Sequence, residues 1–114
     1  MTLRATLAGI TRIPGVHGAL VVSREDGLVV ADALMEGIDG NAVAALAASL
    51  AGRMRAVTTV LGAPEPVLLH LTGTDGALLL APGQGGLLMV AVADVRVNLA
   101  ELRLGLLAAA GTEF

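Results

Sequence analysis

The side chains that could perform acid–base or metal chemistry in this chain are few and scattered. His17 and His70 are the only histidines, and there is no cysteine. Metal binding or general-base catalysis needs partner groups close by, and no cluster of histidine, aspartate or glutamate accompanies either histidine in the sequence. We therefore predict structural roles for both, with His70 on the polar side of an edge strand, and no metal site.

Two short motifs resemble parts of catalytic sites but lack the residues around them that the chemistry requires. The segment Gly83-Gln84-Gly85-Gly86 is glycine-rich, yet it contains no lysine and opens no helix, so a hairpin turn is favoured over a phosphate-binding loop. Ser23 precedes a turn without the G-x-S-x-G frame of a nucleophile elbow. We predict no catalytic residue and no cofactor.

Charge and aromatic content argue against nucleic-acid binding. The net charge is −3, and the seven basic residues, all arginine, form no basic run. Phe114 is the only aromatic residue. Proteins that bind nucleic acids usually present a basic face, often with aromatic side chains that stack on bases. Nucleic-acid partners are therefore not expected.

The composition is unusually apolar for a chain of 114 residues, which is the length of one domain. Hydrophobic residues make up 55% and charged residues 15%, against about 25% charged in average soluble domains. The longest stretch without charge, Gly76–Ala93, is broken by Pro82–Gly86 and predicts two strands, not a membrane helix. The N-terminus lacks a signal-peptide apolar run. We expect one cytoplasmic domain, residues 1–114, that hides apolar surface in an oligomer.

The longest helical pattern runs from Asn41 to Leu61. It contains a stripe of large apolar residues and a stripe of alanines, and we expect the large residues to cover a core and the alanines to let a second element approach closely. Asp39 or Asn41 can cap the start, and Gly62 with Pro64 ends the helix. The large stripe is Val43, Leu46, Leu50, Met54, Val57 and Leu61, and the small stripe is Ala44, Ala47, Ala48 and Ala51.

The other segments predict two more helices and five strands. The first helix spans Leu3–Ile13, and the last spans Val95–Ala109 with Asp94 as its cap. Short turns separate the strands, so neighbours along the chain form antiparallel hairpins, and the order predicts an α+β fold with helices on both faces of one sheet. The predicted strands are Val16–Ser23, Leu28–Ala33, Val67–Thr72, Ala77–Ala81 and Leu87–Ala93.

Several packing and turn residues resemble those of the Roadblock/LC7 domain family. The segment Ile13–Ser23 carries the family's "GV-x-G" step from the first helix into a hairpin, and Asp26-Gly27 matches its turn. The segment Val97–Arg103 looks like the family's last helix, although a glycine often stands where this chain has Ala100. The order of elements agrees along nearly the whole chain.

The resemblance implies a specific sheet and a specific dimer. It implies a five-stranded antiparallel sheet in the order 2-1-5-4-3, with the long helix on one face and the two terminal helices on the other. It also implies a homodimer joined along strand 3 and the paired long helices. The open edge of strand 3 and the alanine stripe fit such a junction. The interface residues predicted are Ala44, Ala47, Ala48, Ala51, Val67, Leu69 and Leu71.

The resemblance also implies a function. Bacterial Roadblock-type proteins resemble partners and regulators of Ras-like small GTPases, which predicts a non-catalytic homodimeric regulator that favours one nucleotide state. Arg53, Arg55 and Thr58 are the expected GTPase contacts, although the arginines are also explained as solvated charges near the C-terminal half of a helix. The alternative is a passive dimeric scaffold for a peptide or for a sibling Roadblock-type protein.

Overall fold

The computed structural model describes residues 2–112 and contains three helices and five strands in that range. Their order along the chain is that predicted, with boundaries that differ by a few residues. The elements are α1 (Leu3–Thr11), β1 (Val16–Ser23), β2 (Val29–Leu34), α2 (Gly40–Leu61), β3 (Leu69–Thr72), β4 (Gly76–Pro82), β5 (Leu87–Asp94) and α3 (Leu99–Ala110).

The strands form a single antiparallel sheet in the order β2-β1-β5-β4-β3. The predicted α+β class and strand order are therefore confirmed. Strands β1, β5 and β4 lie inside the sheet, whereas β2 and β3 form its two edges. The three inner strands supply most of the fully buried side chains, as expected for strands covered on both faces.

Each face of the sheet has its own apolar core. On one face, α1 and α3 pack on residues such as Val21, Leu79 and Met89, and we call this the terminal-helix cluster. On the other face, α2 packs on residues such as Leu20, Leu80 and Val90, and we call this the α2-side cluster. The predicted division, with the long helix on one face and the terminal helices on the other, is confirmed.

Two glycines make the step from α1 into β1 possible. Gly15 has φ +92°, and a Cβ atom there would lie 2.7 Å from the backbone nitrogen of Val97. At Gly18 a Cβ atom would lie 2.7 Å from Leu34 Cδ2 on the neighbouring strand. A side chain at position 15 would collide with packed backbone, which explains Gly15, whereas one at position 18 would require the Leu34 side chain to shift.

The orientation of α2 is the main correction to the sequence interpretation. Ala44, Ala47 and Ala51 are completely buried against the sheet of their own chain, as members of the α2-side cluster. They are therefore not available to a second copy, and their place in the predicted homodimer interface was wrong. Ala48 is half-buried beside Gly27 of the turn between β1 and β2.

The alanines of α2 face the sheet because their small side chains permit a short distance between the helix and the strands. A helix that presents only methyl groups can lie close on the sheet, while the large side chains of β1, β5 and β4 fill the layer between them. The large apolar stripe is then divided: Val43 and Leu50 pack at the margin of the α2-side cluster, whereas Leu46, Val57 and Leu61 are exposed. Because both stripes are apolar, their period alone did not distinguish the buried one from the exposed one.

The first residues of α3 and β3 also differ from the predictions. Helix α3 begins at Leu99, and its N-cap is Asn98, whose side chain accepts a hydrogen bond from the Glu101 amide at 3.1 Å. Asp94 instead ends β5, and its carboxylate accepts hydrogen bonds from His17 and Arg96. Strand β3 begins at Leu69, so Val67 lies before the strand, although we predicted it inside.

The buried alanines of α2 lead to a prediction about stability. Replacing Ala47 with leucine forces three extra carbon atoms between α2 and the sheet, and we expect the free energy of unfolding to fall by about 1–3 kcal/mol. Ala56→Leu places the same side chain at an exposed position of the same helix and serves as the control. Equilibrium urea titrations of both variants measure the difference. A larger loss for Ala56→Leu would contradict the orientation of α2 described above.

Candidate interaction surface

The side of α2 that faces away from the sheet is apolar and exposed. Leu46 is 54% exposed, Val57 58%, Val60 86% and Leu61 73%, and we call these four residues the outer face of α2. Isolated exposed apolar residues are normal on protein surfaces, but several large ones on the same sector of one helix are typical of a contact site. The outer face therefore has the character of an interaction surface.

The free edge of β3 borders the face of the sheet on which α2 packs. Val67 is 71% exposed and Leu71 42%, while Leu69 is half-buried in the α2-side cluster together with Val43 and Leu50 of α2. Helix α2 packs mainly on β1, β2 and β5. The α2-side face of β3 is thus left partly open.

The three residues predicted to contact a GTPase are separated by the structure. Arg53 is exposed and lies seven residues from Leu46 and four from Val57, which puts it on the outer face of α2. Arg55 is two residues further on, about 200° around the helix, and reaches the opposite flank. Thr58 is half-buried, and its hydroxyl lies 3.1 Å from the Met54 carbonyl oxygen and 3.0 Å from that of Arg55.

A charged cluster that sequence reasoning missed lies on the Arg55 flank. Arg24, from the turn after β1, forms an ion pair with Glu65, and Arg55 Nη2 lies 3.9 Å from Glu65 Oε2. The Arg24 side chain is only 13% exposed. Burial, together with the charge of Arg55 beside it, lowers the pKa of the Arg24 guanidinium. Glu65 therefore pairs closely with Arg24 and lies at the limit of ion-pair distance from the exposed Arg55.

The same flank forms an open cleft between two turns of the sheet and α2. The cleft has a volume of about 560 Å³. Arg24, Glu25 and Arg55 line it together with the backbone of Gly85 and Gly86. Together with Glu65, the cleft contains two acidic and two basic side chains, so its net charge does not favour a particular ligand. No signal in the sequence could have joined Arg24 to Glu65, because 41 residues separate them.

A second polar cluster lies at the opposite end of the sheet. His17 Nε2 donates a hydrogen bond to Asp94 Oδ2 at 2.7 Å, and Arg96 Nη2 donates to the same oxygen at 2.7 Å. The hydrogen bonds from Arg96, and next that from His17, hold the pKa of the Asp94 carboxyl well below its usual range. Within residues 2–112 no three histidine, aspartate or glutamate residues lie close enough together to hold a metal ion.

Two properties of the helices and sheet limit how the surface could be used. Across the part of the chain that the structure describes, no helix is both long and apolar enough to cross a membrane. The outer face of α2 carries one charge, that of Arg53, so a partner would be held chiefly by apolar contact. Such a surface suits a protein partner better than a small polar ligand.

Comparison with known proteins gives matches over most of the chain. A family model described as Roadblock/LC7 domain matches residues 3–93. An uncharacterized protein of Methanocaldococcus jannaschii is 31% identical over 98 residues, which cover 86% of this chain and 81% of that protein. The family match extends from the first helix into β5.

Solved structures with the same fold include two MglB structures. Myxococcus xanthus MglB has a TM-score of 0.84 and 20% identity, over 93% of this chain and 80% of that one. A structure described as MglB with tetrameric arrangement has a TM-score of 0.83 and 24% identity, over 94% of this chain and 81% of that one. At these identities the likeness establishes the fold alone.

The Arg24–Glu65 pair leads to a second prediction about stability. Replacing Glu65 with glutamine leaves the mostly buried Arg24 guanidinium without its carboxylate, and we expect the free energy of unfolding to fall by about 1–2 kcal/mol. Glu36→Gln, at an exposed loop position, is the matched control and should change it by less than about 0.5 kcal/mol. Urea titration measures both, and equal effects would mean that the pair contributes nothing specific.

Proposed function

The chain belongs to the Roadblock/LC7 domain family, and from this premise we propose that it is a non-catalytic, homodimeric regulator of a Ras-like small GTPase. One observation carries the proposal: the outer face of α2 is apolar and exposed at the border of an unpaired strand edge. A surface of this kind is stable in water when a second protein covers it.

The homodimer is the first part of the proposal. Two copies would join through β3 and the outer faces of their α2 helices, which lie on the same side of the sheet as Leu69 and Leu71. Pairing removes the open edge of β3 and buries apolar side chains that are exposed in one copy. The likeness to MglB with tetrameric arrangement also favours self-association of this fold.

Regulation of a GTPase is the second part. The paired helices would present a platform to the GTPase on the part of their surface that the junction leaves uncovered, with the exposed Arg53 supplying a charge there. Regulation then follows from differential affinity, because a dimer that binds one nucleotide state more tightly shifts the GTPase toward that state. We assign no residue of this chain to the chemistry of hydrolysis.

The dimer is tested by placing a charge on the outer face of α2. Leu46→Glu buries an unpaired carboxylate at the junction, and we expect the dissociation constant of the dimer to rise by at least about 100-fold. Leu104→Glu on α3 is the matched control, since Leu104 is also exposed, at 71%, but lies on the other face of the sheet. Sedimentation equilibrium measures both variants. A dimer equally strong in both would contradict the assigned interface.

The GTPase partnership is tested by titration in two nucleotide states. We expect the protein to bind a bacterial Ras-like GTPase at least about tenfold more tightly when it is loaded with a non-hydrolysable GTP analogue than with GDP. Arg53→Glu should weaken binding, whereas Arg103→Glu on α3 should not. Equal binding to both states would assign the chain to the scaffold class instead, because a ligand with equal affinity for both states shifts neither. The absence of binding would overturn the partnership.

A further inference from the structure

The backbone of β3 presents only two residues to its free edge. The Gly73 amide donates to the Gly76 carbonyl at 2.8 Å, which closes the β3–β4 hairpin with a hydrogen-bonded pair. Such pairs alternate along an antiparallel ladder, so Leu71 and Leu69 also bond toward β4. The backbone groups of His70 and Thr72 therefore point away from the sheet.

Two-fold symmetry restricts how this edge can pair with its own copy. When two identical antiparallel strands continue one sheet, the axis is perpendicular to the sheet, and some residue must lie opposite itself. If Leu71 lies opposite itself, His70 faces Thr72 of the other copy, and all outward amides and carbonyls of the strand form four hydrogen bonds. If His70 lies opposite itself, Thr72 faces Leu68, which is outside the strand.

We propose that two copies pair through β3 with Leu71 opposite Leu71 and His70 opposite Thr72, and that this makes His70 a pH-responsive contact of the junction. The inference rests on the homodimer of the proposed function and specifies its register.

The side chains on the two faces of β3 agree with this register. Leu71 stands opposite Leu78 on the α2 side, so the central Leu71 pair would add to the apolar contact between the α2 helices. His70 and Thr72 stand on the other face, and His70 Nε2 lies 2.7 Å from Thr72 Oγ1 within one copy. In the dimer these residues form one polar cluster of two histidines and two threonines.

The two histidines would lie close together. With a rise of about 3.4 Å per residue and a strand spacing of about 4.8 Å, their Cα atoms are about 8 Å apart. Histidine is the side chain whose charge changes between about pH 8 and pH 5. Protonation of both side chains would place two positive charges in one junction, where they repel each other.

Few other charges face this cluster. Strands β3 and β4 contain no charged residue besides His70. On the neighbouring elements, Asp94 lines a cavity with Thr72, but its carboxylate already binds His17 and Arg96. Asp75 lies in the β3–β4 turn, outside both strands. Glu101 and Arg103 of α3, which packs on β4 and β5, are both exposed and have opposite charges.

The register is tested with single cysteines, for which the cysteine-free chain gives no background. Leu71→Cys puts two thiols at a non-hydrogen-bonded pair, with Cα atoms about 4.5 Å apart, which suits a disulfide. We expect oxidation to link Leu71→Cys dimers and not His70→Cys dimers. Linking of His70→Cys alone would overturn the register. So would a wild-type dimer in which neither variant links, whereas a wild-type monomer would overturn the homodimer itself.

The pH response is tested by sedimentation at pH 7.5 and pH 5.5. We expect the dissociation constant of the wild-type dimer to rise about threefold to tenfold at the lower pH, as two charges at this separation imply. His70→Gln should remove the response. His17→Gln replaces the only other histidine and should keep it. An equal response in wild type and His70→Gln would show that His70 is not the pH-responsive contact.

Discussion

The close contact between α2 and the sheet is the constraint on which the rest of this structure depends. Ala44, Ala47 and Ala51 are completely buried there, so the helix approaches the strands through methyl groups. Because the helix also carries large apolar residues on a different sector, that approach leaves Leu46 and Val57 in water. The sheet gains a tightly packed layer on one face, and the chain acquires an apolar surface that a second protein can cover.

The two edges of the sheet differ in ways that make one of them suitable for pairing. Strand β2 carries Asp32 on its exposed side, and its pairing with β1 has a register shift between Val21 and Val22. Charges and irregularities of this kind discourage the addition of another strand. Strand β3 (Leu69–Thr72) has neither feature and pairs with β4 in continuous register. Growth of the sheet is thus favoured on the side where α2 leaves the strand partly uncovered.

Much of the fold could be predicted from the sequence because its signals are local. Turn residues such as Asp26-Gly27 fix the hairpins, and Asp39 with Gly62 fixes the ends of α2. The sheet order came from the family resemblance. The orientation of α2 could not be predicted, because it depends on the volumes of side chains contributed by distant strands. Arg53 and Arg55 are neighbours in sequence but lie on opposite flanks of the helix.

Pairing of two copies through β3 is tested most directly by amide hydrogen exchange of the wild-type protein, measured by NMR at several protein concentrations. We expect the His70 and Thr72 amides, on the outer edge of β3, to become more protected from exchange as the protein concentration rises. The Asp32 and Leu34 amides, which point outward from β2 because Met35 bonds inward to His17, should not change. If the outward amides of β3 and β2 exchanged at the same rates at every protein concentration, β3 would not be the strand that joins two copies.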